Sequence, residues 1–517
     1  MSGQTTTGAA TLSASSGETE FGTHHLRPGL KIRSVRGGAV VLLGQGLRFF
    51  LQLGSTAILA RLLTPGDFGL LGMVAAITGF LLVFGDLGLS AATIQREDVT
   101  HDQVSNLFWV NLAFGGALML LTAAIAPAIA WFYGDTRLTA ITLVCAFGFL
   151  LGGLTVQHQA LLRRQMRFLS LAVIDVASLL IGVSAAVLLA WRGAGYWSLV
   201  CLQLASQSAI AAGVWIACGW RPGLPARHSG VRSMLSFGGN LTAFGVVNYF
   251  SRNLDNVLIG WRLGAYQLGL YSKAYQLLLL PIGQVVGPIS GVAVPALSRL
   301  QNDPVRFRNF YLKAVSFVAY ATIPAMIPAA VLSDQIIGLV LGPQWLQASL
   351  LFKILVVAAI WQPVASTVGW LYVALNRTER MARWGFMSAP VIVLSFLVGL
   401  PWGARGVAAC YAVAMTLMWY PSVLYAVHAS PVSGRDVVAA MFRPLAISVL
   451  LGGAAYGCHA VLGPLSDVWL LIAFLGAAAV AVACAAILWR SLRSDLGDML
   501  ATAQLILGRQ ASSAASL

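Results

Sequence analysis

Long apolar stretches alternate with short polar breaks along nearly the whole chain. A helix of about 20 apolar residues crosses the hydrocarbon core of a bilayer. Cut at its charged and Pro/Gly-rich breaks, the pattern predicts fourteen such helices, at 37–61, 68–94, 104–132, 137–161, 168–190, 195–218, 234–261, 266–297, 309–331, 347–375, 382–400, 404–427, 441–461 and 467–489. The longest connections, near Gly219–Ser233 and Leu332–Leu346, run to about 15 residues each and leave no room for a soluble domain. The expected fold is therefore an all-α membrane protein. Residues 1–34 are rich in Ser, Thr and Gly and lack an apolar core, so they are expected to be a disordered cytoplasmic tail rather than a signal peptide. Residues 491–517 are expected to form a second cytoplasmic tail, either plain or lying on the membrane surface as an amphipathic helix.

Composition sharpens this picture. Of the 517 residues, 58% are hydrophobic and only 9% charged, and the mean hydropathy is +0.81. A soluble domain carries about 25% charged residues. The net charge of +15 would suit nucleic acid if it formed one patch. Instead the basic residues flank the spans, which excludes nucleic acid as a partner. With both termini inside, the outer loops hold Arg61, Arg137, Arg192, Arg262 and Arg405, and the spans hold Arg48, Arg252, Lys273, Lys313 and Lys353. The rest of the 32 Lys and Arg fall on the inner side, as the positive-inside rule requires. The six cysteines all fall in predicted spans with no CxxC spacing, so they are read as packing residues, and no metal site or cofactor is expected.

Two segments about 200 residues apart resemble each other. Aligning Gly37-Gly38 with Gly238-Gly239 brings Gly44 onto Gly245, Phe49 onto Phe250 and Arg61 onto Arg262. One gap then aligns Gly69-Leu70 with Gly269-Leu270. Both copies start on the same side of the membrane, six spans apart, so the repeat is parallel and predicts two similar lobes. Pro281, Pro288 and Pro295 recur near one face of a single span, where they either fix a static bend or form one that moves.

Charges at membrane depth cost roughly 2.5–3.5 kcal/mol each on insertion scales, so they persist where they face protein or a wet cavity. Besides the five cations, the spans hold Asp86, Asp175 and Asp255. The surplus of cations predicts a cavity that favours an anion. Asn240, Asn248, Arg252 and Asn256 recur at multiples of four and form a polar stripe on one helix face. Arg48 and Arg252 fall at similar places in the two repeats. Guanidinium groups bind phosphate and pyrophosphate well. Each charge also has a plainer reading. Arg252 can pair with Asp255 one turn away, the lysines can snorkel to an interface, and Asp175 can sit solvated at a helix end. Asp86, flanked by glycines, is either a proton or cation site or a cap at a helix break. Walker A, GxSxG and HExxH motifs are absent, which argues against an ATPase or hydrolase.

The run DNVLIGWRLGAYQLGLYSKAYQLLLLPIGQVVGPISGVAVPALSRLQND resembles the polysaccharide flippases of the colanic-acid-type exopolysaccharide group, within the multidrug/oligosaccharidyl-lipid/polysaccharide exporter superfamily. ARLLTPGDFGLLG with FGDLGLSAATIQRED resembles the amino-terminal half of the same family, and the likeness spans roughly 35–430. It implies a lobe at 35–218, a cytoplasmic linker at 219–233, a second lobe at 234–430 and two further helices at 431–490. It also implies an undecaprenyl-pyrophosphate-linked oligosaccharide moved across the bacterial inner membrane by alternating access, with polymerase machinery as a further partner. Carried over residue by residue, the cationic site would use Arg48, Arg252, Lys273 and Lys353, with Asn248 and Asn256 on the polar stripe. Asp86 and Asp255 are the candidates for ion coupling. Two competing readings remain at this point: an ion-coupled multidrug antiporter, and a membrane polymerase or ligase acting on the same glycans.

Overall fold

A computed structural model describes residues 30–82, 90, 93–94, 99–225, 232–462 and 467–488, with the side chains of 30–42, 232–248, 250–252 and 485–488 left out. The described elements are α-helices with short 3-10 turns: α1 (Leu30–Leu62), α2 (Pro65–Leu82), α3 (His101–Tyr133), α4 (Arg137–Arg164), α5 (Phe168–Trp191), α6 (Trp197–Cys218), α7 (Arg232–Leu300), α8 (Pro304–Thr322), α9 (Met326–Val331), α10 (Ser333–Val340), α11 (Gln347–Ala374), α12 (Thr378–Gly399), α13 (Gly403–Val427), α14 (Gly434–Leu462) and α15 (Asp467–Leu488). Among the described residues, eleven helical runs are long and apolar enough to cross a membrane. Two of those runs, Asn253–Leu300 and Thr378–Val427, each contain a break at a glycine. The predicted boundaries at 261/266 and 400/404 fall at these breaks, so the helices agree roughly with the fourteen read from hydropathy.

Gly264 makes the first break, with φ 83° and ψ 174°. That backbone region is essentially open to glycine alone. The three prolines behave differently: the helix runs through Pro281, Pro288 and Pro295 with no other non-helical φ/ψ. Capping explains the clean starts elsewhere. Thr100 Oγ1 accepts from the Gln103 amide at 3.3 Å while Gln103 Oε1 accepts from the Thr100 amide at 3.2 Å. This reciprocal box satisfies two donors that the first turn of α3 would otherwise leave orphaned. Asp303 accepts from the Arg306 amide and Pro304 fills the first turn of α8.

The chain divides into two compact units, Met1–Leu63 with Met73–Phe250, and Thr64–Gly72 with Ser251–Leu517. In the first unit, α3 packs on α4, α5 on α6, α4 on α6 and α1 on α5. Phe108, Leu161, Ile174, Val214 and Trp220 form one of its cores. The segment after α6 folds back onto α3: Trp220 Nε1 donates to His101 Nδ1 at 3.1 Å, and Trp109 Nε1 donates to the Gly223 carbonyl at 2.8 Å. His158 is fully buried and stacks on Trp215 at 4.4 Å.

In the second unit, α8 places Phe307, Tyr311, Val315, Val318 and Ala319 on one buried stripe at helical spacing. They meet Val364, Val368 and Leu371 of α11, Val423 of α13, and Val437 and Met441 of α14. Lipid is as apolar as these side chains, so packing density and hydrogen bonds hold such helices together more than water exclusion does.

The two glycines aligned by the repeat meet inside this second unit. A Cβ on Gly69 would lie 1.7 Å from the Ala265 carbonyl oxygen, and one on Gly269 would lie 1.8 Å from the Pro65 carbonyl oxygen. Position 69 of one copy thus faces 265 of the other, and 269 faces 65. Such reciprocity is the mark of a two-fold relation between the repeat segments. Gly269→Val should force these backbones apart and lower the thermal midpoint of the detergent-purified protein by several degrees, the size expected when a close contact is overpacked. Gly283→Ala is the control, because a Cβ there meets nothing within 4 Å. Equal midpoints for the two variants would refute the role assigned to the glycine contact.

Candidate functional site

The same glycine contact builds the site. Thr64 starts α2: its amide and Oγ1 donate to Asp67 Oδ2 at 2.9 and 2.7 Å, and the Asp67 amide donates back to Thr64 Oγ1 at 3.3 Å. The capped turn presents Phe68, which is buried and meets Trp345 edge-on at 5.4 Å. Gly69 and Gly269 then bring this turn against α7, one turn before Lys273. The Lys273 ammonium lies 4.4 Å from the centre of the Phe68 ring and donates to Gln276 Oε1 at 2.8 Å. A cation over an aromatic face gains about 0.5–2 kcal/mol. No carboxylate lies within ion-pair distance of Lys273 among the described residues.

Among the described residues of this unit, Asp255 is the buried acid, 2% exposed. The sequence pairs it with Arg252, whose side chain lies outside the described residues. The structure gives Asp255 two other partners: Oδ2 accepts from the Tyr271 hydroxyl at 2.8 Å, and Oδ1 accepts from the Asn256 amide at 2.8 Å. Beyond Tyr271, the Tyr275 and Tyr411 hydroxyls lie 2.9 Å apart, and Gln362 Nε2 donates to both, at 2.6 and 3.0 Å. Two clusters of phenol, amide and carboxyl groups are thus sunk among α7, α11 and α13. Asn256 keeps its side-chain oxygen buried with no hydrogen-bond donor among the described residues.

The other expected site residues separate into different circumstances. Arg48 has no acid one turn away on its own helix, but α5 supplies one: its Nη1 lies 3.6 Å from Asp175 Oδ2, with both side chains about half exposed. Asp175 is therefore an ion-pair partner and not simply a solvated helix end. Lys353 donates to Asp334 at 3.0 Å, near the start of α11. Lys313 is exposed. Asn248 and Arg252 lie on described backbone, but their side chains are outside the described residues, as is all of Asp86. Of the cations expected in spans, Lys273 stands at a defined place with no counter-charge among the described residues.

Tyr271, Tyr275, Gln362 and Tyr411 were not singled out by the sequence. A signal existed for Tyr271. It and Asp255 are equidistant from Leu263, so a hairpin turning at Gly264 brings them level, and Tyr275 follows one turn later on the same face. Tyr271→Phe should leave a buried carboxyl short of a donor and cost about 1–3 kcal/mol of stability. Asp255→Asn/Tyr271→Phe together should cost less than the sum of the single changes, because both act on one hydrogen bond. Thermal unfolding of the four proteins in one detergent measures this, and strict additivity would refute the coupling.

Comparison with known proteins places these features in context. A model of the family described as polysaccharide biosynthesis protein matches residues 58–350. The teichuronic acid biosynthesis protein TuaB of Bacillus subtilis (strain 168) is 26% identical, covering 65% of this chain and 70% of its own. The lipopolysaccharide biosynthesis protein WzxC of Escherichia coli (strain K12) is 25% identical, covering 79% and 83%. The succinoglycan biosynthesis transport protein ExoT of Rhizobium meliloti (strain 1021) is 24% identical, covering 80% and 85%. Among solved structures, the lipid II flippase MurJ in an inward closed conformation superposes with a TM-score of 0.71 at 16% identity, covering 88% of this chain and 99% of that one. An inward-facing MATE family multidrug transporter superposes with a TM-score of 0.58 at 12% identity, covering 77% and 95%. At these identities the structural likeness establishes the all-helical transporter fold alone.

Proposed function

The chain belongs to the polysaccharide biosynthesis protein family, and on that premise we propose that it carries lipid-linked saccharides across the bacterial inner membrane, with an undecaprenyl-pyrophosphate-linked oligosaccharide as cargo. It is a multi-pass transporter and not an enzyme: its relatives include a protein named for succinoglycan transport, and its fold is that of a lipid II flippase. Both termini are proposed to be cytoplasmic, from the distribution of Lys and Arg.

The observation that carries the reading is the ammonium of Lys273, which has no carboxylate partner among the described residues and is the one charged residue of the α7 stretch Gly264–Ser298. A sugar pyrophosphate loses its water on entering hydrocarbon, a cost that its lipid tail, already in the bilayer, does nothing to offset. A fixed cation with adjoining amides replaces that hydration, and Lys273 with Gln276 supplies both. The same charge disfavours the organic cations that a multidrug antiporter would bind, so the likeness to MATE structures is read as fold only. Arg48, Asn248, Arg252, Asn256 and Lys353 are proposed as further contacts of the head group during an alternating-access cycle. Arg48 and Lys353 would exchange a carboxylate for the pyrophosphate, whereas Lys273 has none to give up among the described residues. Asp255 and Asp86 are proposed to couple transport to an ion gradient. Asp255 is the better supported, since it is buried against a phenol with no cation bound to it among the described residues.

Export of polysaccharide and accumulation of lipid-linked repeat units in cells test the proposal. Lys273→Ala should lower export about tenfold or more at unchanged protein level, with repeat units accumulating on the cytoplasmic side. Lys273→Arg should keep most of it, because the charge remains. Normal export by Lys273→Ala would remove Lys273 from the site, and a null strain without accumulated repeat units would overturn the transport reading.

A further inference from the structure

The second unit holds a cavity of about 370 Å³ beside its Gly264 and Gly403 turns. Its floor is apolar, with Leu270 and Leu351 nearly fully buried. Its walls are not. Gln267 lies just past the Gly264 break, Gln347 is the first residue of α11, and Trp402 and Arg405 flank the Gly403 break at the start of α13. Trp402 is 69% exposed.

Two features set this cavity apart from an ordinary helix-end crevice. The first is that its polar side chains are open to a ligand: Gln347 and Arg405 are exposed, Gln267 is half-buried, and none of the three makes a side-chain hydrogen bond or ion pair among the described residues. The second is direction. Both α11 and α13 begin at this cavity, each directly after a 3-10 turn, and helix starts carry partial positive charge. The walls therefore offer an anion a guanidinium fork, two side-chain amides that both donate and accept, and the ends of two helices. Trp402 adds a flat apolar face with a donor at its edge.

We propose that this cavity is a subsite for an acidic sugar, a pyranose bearing a carboxylate. The carboxylate meets Arg405, the ring hydroxyls meet Gln267 and Gln347, and the apolar face of the ring lies on Trp402. A bare anion would use Arg405 but not the two amides and the indole. A neutral sugar would leave the guanidinium and both helix starts unused. The cavity falls at the lower end of the size range of small-ligand sites, which suits a sugar residue and not a whole repeat unit. The inference deepens the proposed glycolipid reading, since it assigns the cargo an acidic residue.

The test uses the full chain in nanodiscs of phosphatidylcholine, with methyl glucuronoside and methyl glucoside as probes and saturation-transfer NMR as the readout. The glucuronoside should bind about tenfold more tightly than the glucoside, the scale expected of one charge-assisted contact. Arg405→Ala should abolish that difference, and Trp402→Ala should weaken both probes. Equal binding of the two glycosides, or an unchanged preference in Arg405→Ala, overturns the subsite. Displacement of the glucuronoside by phosphatidylglycerol in the nanodisc or by inorganic phosphate also overturns it, in favour of a lipid or simple anion site. Repeat-unit accumulation in a null strain, measured in parallel, separates the two ideas: accumulation with no glycoside preference sinks the subsite and leaves the export reading standing.

Discussion

An ammonium group held among apolar helices, with no carboxylate beside it among the described residues, is the constraint on which the functional account depends. Low-polarity surroundings make an isolated charge expensive, and proteins usually answer with a counter-ion or with water. Arg48 and Lys353 receive counter-ions. Lys273 receives an aromatic face and one amide oxygen, which stabilise a cation without cancelling its charge. A group in that state is a standing attraction for an anion.

Backbone geometry sets that arrangement. Gly69 and Gly269 have no Cβ to keep the turn at Thr64–Gly72 away from α7. Phe68 precedes one glycine, and Lys273 follows the other by one turn, so closing the backbones closes the distance between ring and ammonium. The reciprocal pattern of contacts, 69 on 265 and 269 on 65, repeats the sequence duplication in three dimensions. A substitution at either glycine should therefore disturb both packing and charge placement. The Asp255–Tyr271 bond depends on backbone in the same way, since the break at Gly264 brings those residues level.

Much of the fold was legible in the sequence because a bilayer imposes a length on every apolar helix. The breaks at Gly264 and Gly403 fell where the hydropathy did, and the repeat aligned the two glycines that touch. The partners of individual charges were not legible. Arg48 is paired by Asp175 from another helix, and Lys353 by Asp334 across a turn. Neighbours along one helix follow from spacing, whereas neighbours across helices follow from packing angles that hydropathy does not encode. That is also why Gln362 and Tyr411, far from α7 in sequence, were invisible as companions of Tyr275. Lys273 was visible as a charge in a span, but its lack of a counter-ion among the described residues needed the fold.

Direct binding tests the central claim with the fewest assumptions. Farnesyl pyrophosphate and farnesol, offered to the purified chain in nanodiscs, share a lipid tail and differ in the anionic head. Calorimetry should find that the pyrophosphate binds and the alcohol does so far more weakly, with Lys273→Gln losing about tenfold in pyrophosphate affinity and Lys273→Arg little. Equal affinity of Lys273→Gln and the unsubstituted protein for the pyrophosphate would contradict the account.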